Sequence, residues 1–370
     1  MKRVVLMIIL ALIFGMAFTR DNEVETKSKV NMDNREIIEK KFNKFTRSKP
    51  IHEAVLLVEN SSGDFSVNFG YGGKTIDAPL QAASIGKLFT TACVLMLQEQ
   101  KKLSLDDLVA EYFDKTMLNG LHIYKGVDYS HKLTLADLLF QTSGLPDYFS
   151  EGGVEKRAIT EDFAISTAEL IEITKTLKPH FAPSSNKAYY SDLNFQLLGE
   201  IVEKVTQMPL EEVFRNFLFE PLGMTKTYMP VNDDFVPNIF YKNQSLSRPK
   251  LIMSLRGGGN AITTARELMI FLKAFFNGQF FPKSLFEELS VYQRLQMGLI
   301  FYGGGYMQVP LGSIFTLFMG KGELIGHSGS TGSFAFYYPH KDLYFVGDVN
   351  QMSNPGLPFQ LLLKLAMAVK

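Results

Sequence analysis

Segments typical of β-strands lie near both ends of this chain, and segments typical of helices fill its middle. "HEAVLLVEN" and "FSVNFGYG" flank the turn sequence "SSGD" and predict a hairpin. "FAFYYPHKDLYFVGDVN" predicts a second hairpin near the other end, turning between His340 and Asp342. The simplest assembly of these parts is one antiparallel sheet built from both ends of the chain. The sequence therefore predicts an α+β fold, in which an antiparallel sheet is flanked by helices and carries an inserted, mainly helical lobe.

The helical segments are recognised by apolar spacing and capping signals. "SIGKLFTTACVLMLQEQ" predicts a long apolar helix, and its Cys93 is expected to be buried. "STAELIEITKTL" begins with a capping box from Ser166 to Glu169. "SLDDLVAEYF", starting at Ser104, carries a similar signal and is predicted to be helical as well. The tail "LPFQLLLKLAMAVK" predicts a closing helix.

The first residues resemble a targeting segment. Lys2 lies in a charged start and is followed by an apolar run over 4–18, which is shorter than a comfortable membrane span. Small residues near Ala17 fit a cleavage site. We predict that residues 1–18 are a signal peptide or an N-terminal anchor and that residues 19–33 are a flexible spacer. Both possibilities place the folded part outside the cytoplasmic membrane, secreted or held to it by this segment.

Composition excludes several classes of function. The chain has 370 residues with 38 basic and 38 acidic side chains, so nothing suggests a nucleic-acid partner. Membrane contact is expected only through the N-terminal segment. The six histidines show no metal-ligand spacing and no glycine-rich phosphate loop is present, so neither metal nor cofactor is expected. The composition does not indicate an oligomeric state.

The stretch "GHSGS" nearly matches the G-x-S-x-G nucleophile elbow of α/β-hydrolases, with Ser328 at its centre. The order of that catalytic triad requires an acid and then a histidine after the serine. His340 is the only later histidine, and no acidic residue lies between Ser328 and His340. The residues after Ser328 also read as a strand, whereas the elbow leads into a helix. We therefore predict that Ser328 is not the nucleophile.

A better candidate is Ser84, which begins an apolar helix with Lys87 three residues later. Residues i and i+3 share a helix face, so the amine is expected to point towards the hydroxyl. A serine becomes a useful nucleophile only when a base takes its proton. Ser-x-x-Lys is a weak signal by itself, because it recurs at 184–187 and 247–250 in loop-like sequence beside prolines.

Two further motifs follow in order, Tyr190-Ser191-Asp192 before a helix and His327-x-Gly329 on a predicted strand. This order resembles the penicillin-recognising serine hydrolases, and most closely the class C β-lactamase-like branch with its D-aminopeptidases and esterases. "LLFQTSGLPDY", "EPLGMTKTYM" and "RGGGNAITTARELMIFLKAF" resemble further segments of that family.

The resemblance implies a β-lactamase/transpeptidase-like fold over residues 34–370. It divides this domain into a sheet lobe at about 34–83 and 255–370 and a helical lobe at about 84–254.

The resemblance also implies catalytic roles. Ser84 would form an acyl-enzyme, and Tyr190, as a phenolate or through a Lys87 relay, would take the serine proton and pass it to the leaving group. The pKa of Tyr190 would need lowering by nearby cations, which Lys87 and His327 could supply. Tyr189 is a close neighbour, and only the motif register selects Tyr190.

Substrate binding is implied for a second group of residues. The backbone N–H groups of Ser84 and Ser330 would form the oxyanion hole, and Gly329 would let substrate lie against the strand. Asp192 occupies the position of the family's usual asparagine and could instead cap the following helix. His327 replaces the lysine of true β-lactamases.

Both departures argue against efficient β-lactam processing, because a carboxylate cannot donate a hydrogen bond and a neutral imidazole anchors a carboxylate weakly. We expect a serine hydrolase acting on esters, D-amino-acid peptides or β-lactam-like amides. Its substrate is a small molecule or peptide, with cell-wall material as one source. The alternative is a catalytically weak or inactive relative with a cell-surface binding or regulatory role, suggested by Asp192 and by Gln141, where the family often has histidine.

Overall fold

The computed structural model describes residues 30–312 and 320–370. The strands of the described residues are β1 (Ala54–Glu59), β2 (Ser66–Tyr71), β3 (Leu80–Gln81), β4 (Ile123–Tyr124), β5 (Val127–Asp128), β6 (Ile239–Tyr241), β7 (Gln244–Leu246), β8 (Ile262–Thr263), β9 (Gln293–Arg294), β10 (Phe301–Gly303), β11 (Tyr306–Pro310), β12 (Glu323–Ser328), β13 (Ser333–Tyr338) and β14 (Leu343–Asp348).

Within these residues, eight strands form one sheet in the order β2-β1-β14-β13-β12-β11-β10-β9. Every neighbouring pair runs antiparallel. β1 lies against β14, with Val55 opposite Asp348. The two predicted hairpins are β1–β2 and β13–β14. The sheet is therefore built from both ends of the chain, as the sequence predicted.

The helices of the described residues are α1 (30–47), α2 (Gly86–Glu99), α3 (Lys115–Leu118), α4 (Leu135–Leu139), α5 (Val154–Thr160), α6 (Thr167–Lys175), α7 (Asp192–Thr206), α8 (Leu210–Phe214), α9 (Pro249–Ser254), α10 (Arg256–Gly259), α11 (Ala265–Phe276), α12 (Ser284–Leu289) and α13 (Leu357–Ala366).

Helices cover both faces of the sheet. Adjacent strand residues point to opposite faces, and on β13 Phe336 packs against Phe359 of α13 while Tyr337 packs against Phe276 of α11. The segment between β3 and β8 is mainly helical, and α7 contacts α2, α4, α6 and α10. The predicted fold class, a sheet flanked by helices with an inserted helical lobe, is confirmed.

The glycine-rich helix α10 permits close packing beneath the start of α2. Gly259 has a φ of 137°, and a Cβ there would lie 2.1 Å from the carbonyl oxygen of Ala83 and 2.9 Å from the amide nitrogen of Ser84. Any other residue would push away the turn that carries Ser84.

Two local predictions were wrong. Residues 30–33, assigned to the spacer, belong to α1, where Asp33 pairs with Lys370 at 2.7 Å. The segment after Ser104 forms turns and a short 3₁₀ helix over Val109–Glu111. Its backbone pairs with a distant segment instead, and the Val109 amide donates to the Leu133 carbonyl at 2.8 Å. That long-range pairing uses backbone groups that a helix would need.

Two further predictions concern burial and the membrane. Cys93 is buried within α2, as predicted. No helix of the described residues is both long and apolar enough to cross a membrane. The predicted signal or anchor segment, residues 1–18, lies outside the described residues.

Candidate active site

Ser84 lies in the 3₁₀ turn Ala83–Ile85, which leads directly into α2. Ala83 has a φ of 46°, an uncommon backbone conformation for a residue with a side chain. Lys87 follows in the first turn of α2, and its Nζ atom lies 3.2 Å from the Ser84 Oγ. The structure therefore brings together the hydroxyl and the amine that the i, i+3 spacing predicted to share a face.

The Lys87 side chain is completely buried and has two further acceptors. Its Nζ lies 2.5 Å from Asp192 Oδ1 and 2.6 Å from the Gly258 carbonyl oxygen. An ammonium group has three donors and no acceptor. Ser84, Asp192 and Gly258 together satisfy all three, so in this arrangement Lys87 donates to Ser84 and does not accept its proton.

Asp192 is the first residue of α7, and the sequence left open whether it caps that helix or binds substrate. The N-cap position is Ser191, whose side chain makes no capping hydrogen bond. The Asp192 carboxylate instead forms the ion pair with Lys87. As an ionised carboxylate it has no hydrogen to donate to a substrate, and its main partner is Lys87, the candidate catalytic lysine.

Tyr190 lies beside Ser84, and its phenol interacts with the Ser84 hydroxyl. The ring centroid of Tyr190 is 5.2 Å from Lys87 Nζ. Tyr189, the rejected neighbour, stacks on His180 instead. Burial and then the Asp192 charge raise the pKa of the Tyr190 phenol well above its usual value. The expectation that neighbouring cations lower this pKa is therefore wrong, because desolvation and a carboxylate outweigh Lys87.

His327 lies on β12 and is completely buried. Its Nδ1–H donates to the Ser328 carbonyl at 2.8 Å, and the Tyr302 hydroxyl donates to Nε2 at 3.4 Å. Burial, followed by repulsion from Lys87, lowers the pKa of His327 to about 3. The imidazole is neutral at ordinary pH and supplies no positive charge to Tyr190, contrary to the sequence-based expectation.

A cleft opens beside Ser84, and we call it the large cleft. It has a volume of about 410 Å³. Its lining includes Ser84, Tyr190, Asp192, Ser328, Gly329 and Ser330, and also the apolar side chains of Phe149, Met297, Ile300, Met307 and Phe359. His327 is not among the lining residues. Of the seven predicted site residues, the structure places five in the lining of the large cleft and Lys87 directly beneath Ser84. His327 lies on β12 outside that lining, with its ring centroid 6.1 Å from that of Tyr190.

Gly329 faces the large cleft, but packing gives a second reason for glycine. A Cβ at this position would lie 2.2 Å from Ser333 Oγ and 2.8 Å from the Ala82 carbonyl oxygen. The end of β12 approaches the turn carrying Ser84 so closely that only glycine fits without displacing that turn.

Sequence reasoning missed two residues that hold this group in place. Asp147 Oδ1 accepts from the Asp192 amide at 3.0 Å, and burial, followed by the Asp192 charge, raises the pKa of Asp147 to about 6. Gln296 holds the backbone of Tyr190 on both sides, accepting from its amide at 2.9 Å and donating to its carbonyl at 3.3 Å. Asp147 stands in "SGLPDY", where it reads as a turn residue, and nothing near Gln296 in sequence signals its role.

Gln141, the other departure from the family, has a structural position. It accepts from the Ser191 amide at 2.9 Å and donates to the Ser191 carbonyl at 3.2 Å. Its backbone has a φ of 59°. The side chain therefore fixes the turn that precedes Asp192 and does not line the large cleft.

The fold and the group formed by Ser84, Lys87 and Tyr190 define a protein of the penicillin-recognising class. The chain belongs to the beta-lactamase family, whose model matches residues 66–365. The predicted resemblance is thus confirmed.

A curated relative matches part of the sequence, and solved structures share the fold. The chain is 30% identical over 186 residues to the protein flp of Staphylococcus aureus (strain COL), covering 47% of this chain and 34% of that protein. It therefore spans about a third of that relative's length. Among solved structures, the D-amino acid amidase from Ochrobactrum anthropi SV3 is similar with a TM-score of 0.71 and 17% identity, covering 90% of this chain and 98% of the other. EstCE1, a hydrolase with promiscuous acyltransferase activity, has a TM-score of 0.72 and 17% identity, covering 92% and 99%.

Proposed function

We propose that this protein is an extracytoplasmic serine hydrolase that forms an acyl-enzyme on Ser84. The observation that carries the proposal is the position of the Ser84 hydroxyl. It lies 3.2 Å from the Lys87 amine, interacts with the Tyr190 phenol and lines the large cleft. A nucleophile with a base and a proton donor in reach is the arrangement that acyl transfer requires.

The short Lys87–Asp192 contact suggests how the serine proton moves. At 2.5 Å, Asp192 can take one proton from Lys87 as the reaction begins. The freed amine then accepts the Ser84 proton while Oγ bonds to the substrate carbonyl carbon. Tyr190, which its raised pKa keeps protonated, gives its proton to the leaving oxygen or nitrogen. Lys87 then returns a proton to Tyr190, and Asp192 returns one to Lys87.

The backbone N–H groups of Ser84 and Ser330 stabilise the oxyanion in this proposal. Both residues line the large cleft, and Gly329 allows the strand to approach Ser84 closely. One such donor is worth about 10²–10³-fold in turnover. Water then hydrolyses the ester on Ser84, with the same proton carriers acting in reverse.

The charges around the large cleft favour some substrates over others. Three carboxylates, those of Asp147, Glu155 and Asp192, line it, and no lysine or arginine of the described residues does. His327 is neutral and buried. A β-lactam carboxylate would find no cation in this cleft, so we infer that esters and amides or peptides of D-amino acids are better substrates. One similar structure is a D-amino acid amidase, whose name supports amides of D-amino acids, and another is a hydrolase with promiscuous acyltransferase activity.

The extracytoplasmic location rests on the sequence of residues 1–18, with their charged start and short apolar run. Secretion and anchoring by this segment both agree with it. Cell-wall fragments are one source of substrate in that compartment.

A second function is favoured by one observation. All three N–H groups of the Lys87 ammonium donate hydrogen bonds, as expected of a resting or inactive site. An inactive relative would keep the cleft for binding or regulation at the cell surface. It would not turn over any substrate.

Labelling with a fluorophosphonate probe separates the two functions. We expect the purified chain to be labelled, Ser84→Ala to lose the label, and Ser328→Ala to keep it. Ser328 is a matched control because it lines the same cleft. Labelling that survives Ser84→Ala would exclude Ser84 as the nucleophile.

Turnover of three chromogenic compounds would then identify the substrate class. We expect hydrolysis of p-nitrophenyl acetate and D-alanine p-nitroanilide, and little hydrolysis of nitrocefin. No label and no turnover of any of the three would favour the binding or regulatory function.

A further inference from the structure

A buried arginine lines a second space that also reaches the nucleophile. Arg248 stands between β7 and α9 and is 8% exposed. It lines a second space, which we call the small cavity, with a volume of about 40 Å³. Ser84 and Ser330 line the same cavity. A cation therefore lines the same space as the proposed nucleophile and oxyanion hole.

The hydrogen bonds of Arg248 leave part of its guanidinium unused. Nε donates to the Ala158 carbonyl, one terminal nitrogen donates to the Ser247 carbonyl at 2.7 Å, and the other donates to the Ile159 carbonyl at 2.9 Å. A guanidinium has five N–H donors, so two remain. Among residues 30–312 and 320–370, no carboxylate forms an ion pair with Arg248.

A structural role explains only part of this arrangement. Ala158 and Ile159 lie in the last turn of α5, where a cation and extra donors are favourable. That role accounts for two of the bonds. It does not account for a buried positive charge without an anionic partner in the wall of a cavity, which is costly unless something offsets it.

The rest of the small cavity is suited to an apolar chain that links a reacting carbonyl at Ser84 to an anionic group at Arg248. Ile239, Leu251, Ile252 and Met352 are among its lining residues. The one carboxylate in the lining, Asp192, is paired with Lys87. An anion reaching Arg248 would therefore cross an apolar space from Ser84 and meet a planar, bidentate donor.

We propose that Arg248 binds a carboxylate of the substrate, and that this enzyme prefers esters or amides whose acyl chain ends in a carboxylate. The proposal rests on the hydrolase function proposed above. The scissile carbonyl lies at Ser84, the aliphatic part of the acyl chain runs along the apolar side chains that line the small cavity towards Arg248, and the leaving group occupies the large cleft.

Two p-nitrophenyl esters that differ in one charge test this preference. p-Nitrophenyl hydrogen adipate carries the carboxylate, and p-nitrophenyl methyl adipate is its neutral partner. The measured quantity is the ratio of their kcat/KM values, corrected for the ratio of their uncatalysed rates. We expect the charged ester to be preferred by the unaltered protein. A ratio at or below one would overturn the proposal, whatever the variants do.

Substitutions then assign the preference to Arg248. Arg248→Gln keeps donors for the α5 carbonyls and removes the charge, and Arg248→Met removes both. Loss of a hydrogen-bonded charge partner is expected to lower the ratio about 10- to 100-fold in each. Arg266→Met, which alters an exposed arginine paired with Asp77, should leave the ratio unchanged. A preference that survives both Arg248 variants would overturn the assignment.

Turnover of the neutral ester separates this proposal from the hydrolase function. If the neutral ester is hydrolysed and Arg248 has no effect on the ratio, the proposal fails and the hydrolase function stands. If neither ester is hydrolysed and Ser84 takes no fluorophosphonate label, the hydrolase function itself fails, and the proposal fails with it.

Discussion

Replacing Asp192 by asparagine would leave the buried Lys87 ammonium without its counter-ion. The substitution keeps the shape of the side chain and one oxygen acceptor. At 2.5 Å, two unit charges attract by about 7 kcal/mol at an effective dielectric constant of about 20. Desolvation of both groups offsets much of this attraction, and removing one member of a buried pair costs about 3–5 kcal/mol in measured cases.

Asp192 is 15% exposed and Lys87 is not exposed at all. Because some water reaches the carboxylate, we expect a loss near the lower bound, about 3 kcal/mol in the free energy of unfolding at pH 6. The unpaired ammonium can reduce this cost by releasing its proton, and a rise in pH favours that release. The loss should therefore be smaller at pH 9 than at pH 6.

Urea unfolding of both proteins at pH 6 and pH 9 measures these differences. Asp77→Asn serves as the control, because it breaks an exposed pair with Arg266 and should change stability little. The reasoning about Lys87 is refuted if Asp192→Asn is as stable as the unaltered protein at pH 6, or if its deficit does not depend on pH.

Three further predictions concern the neighbours of Ser84. Tyr190→Phe removes the proposed proton donor, so kcat for D-alanine p-nitroanilide should fall about 10²–10⁴-fold. The p-nitrophenyl ester should lose much less, since its leaving group needs no proton; equal losses would contradict the donor role. Gln296→Ala frees the Tyr190 backbone and should lower kcat about tenfold with little change in KM, whereas a change in KM alone would indicate a binding role. Asp147 has a folded pKa of about 6, raised from 3.8, so the stability it contributes is fully present below pH 4 and declines by about 3 kcal/mol as pH rises through 6. Asp147→Asn should remove that decline from urea unfolding measured at pH 4, 5 and 6, and an unchanged pH profile would assign the decline to other groups.

Local patterns predicted the parts of this protein that depend on neighbouring residues. The i, i+3 spacing was sufficient to place Lys87 beneath Ser84. The alternating runs around "SSGD" were sufficient for the β1–β2 hairpin. The Ser166–Glu169 capping box formed as predicted.

The remainder of the site depends on contacts between distant residues. Lys87 and Asp192 are separated by 105 residues, and Tyr190 and Gln296 by 106. No periodicity or cap in the sequence reports such a pairing. The neutral state of His327 likewise follows from its complete burial on β12, which the motif His-x-Gly does not reveal.

The helix expected after Ser104 did not form, because contacts with distant residues also override local signals. Its capping signal is real, because Asp107 accepts from the Ser104 amide at 2.7 Å. A distant strand-like segment nevertheless competes for the backbone at Leu108, which pairs with Thr134. Tertiary pairing overrides a local preference worth only tenths of a kcal/mol per residue.

The pairing of β1 with β14 has a consequence for how this protein is made. During synthesis β1 and Ser84 emerge long before β14, the partner strand of β1, and before Gly329, which packs against the turn that carries Ser84. A growing chain therefore contains Ser84 and Lys87 long before it contains all the residues that line the large cleft. Activity should therefore appear only when β12, β13 and β14 have joined the sheet, and a ribosome-bound fragment that lacks these strands should be inactive.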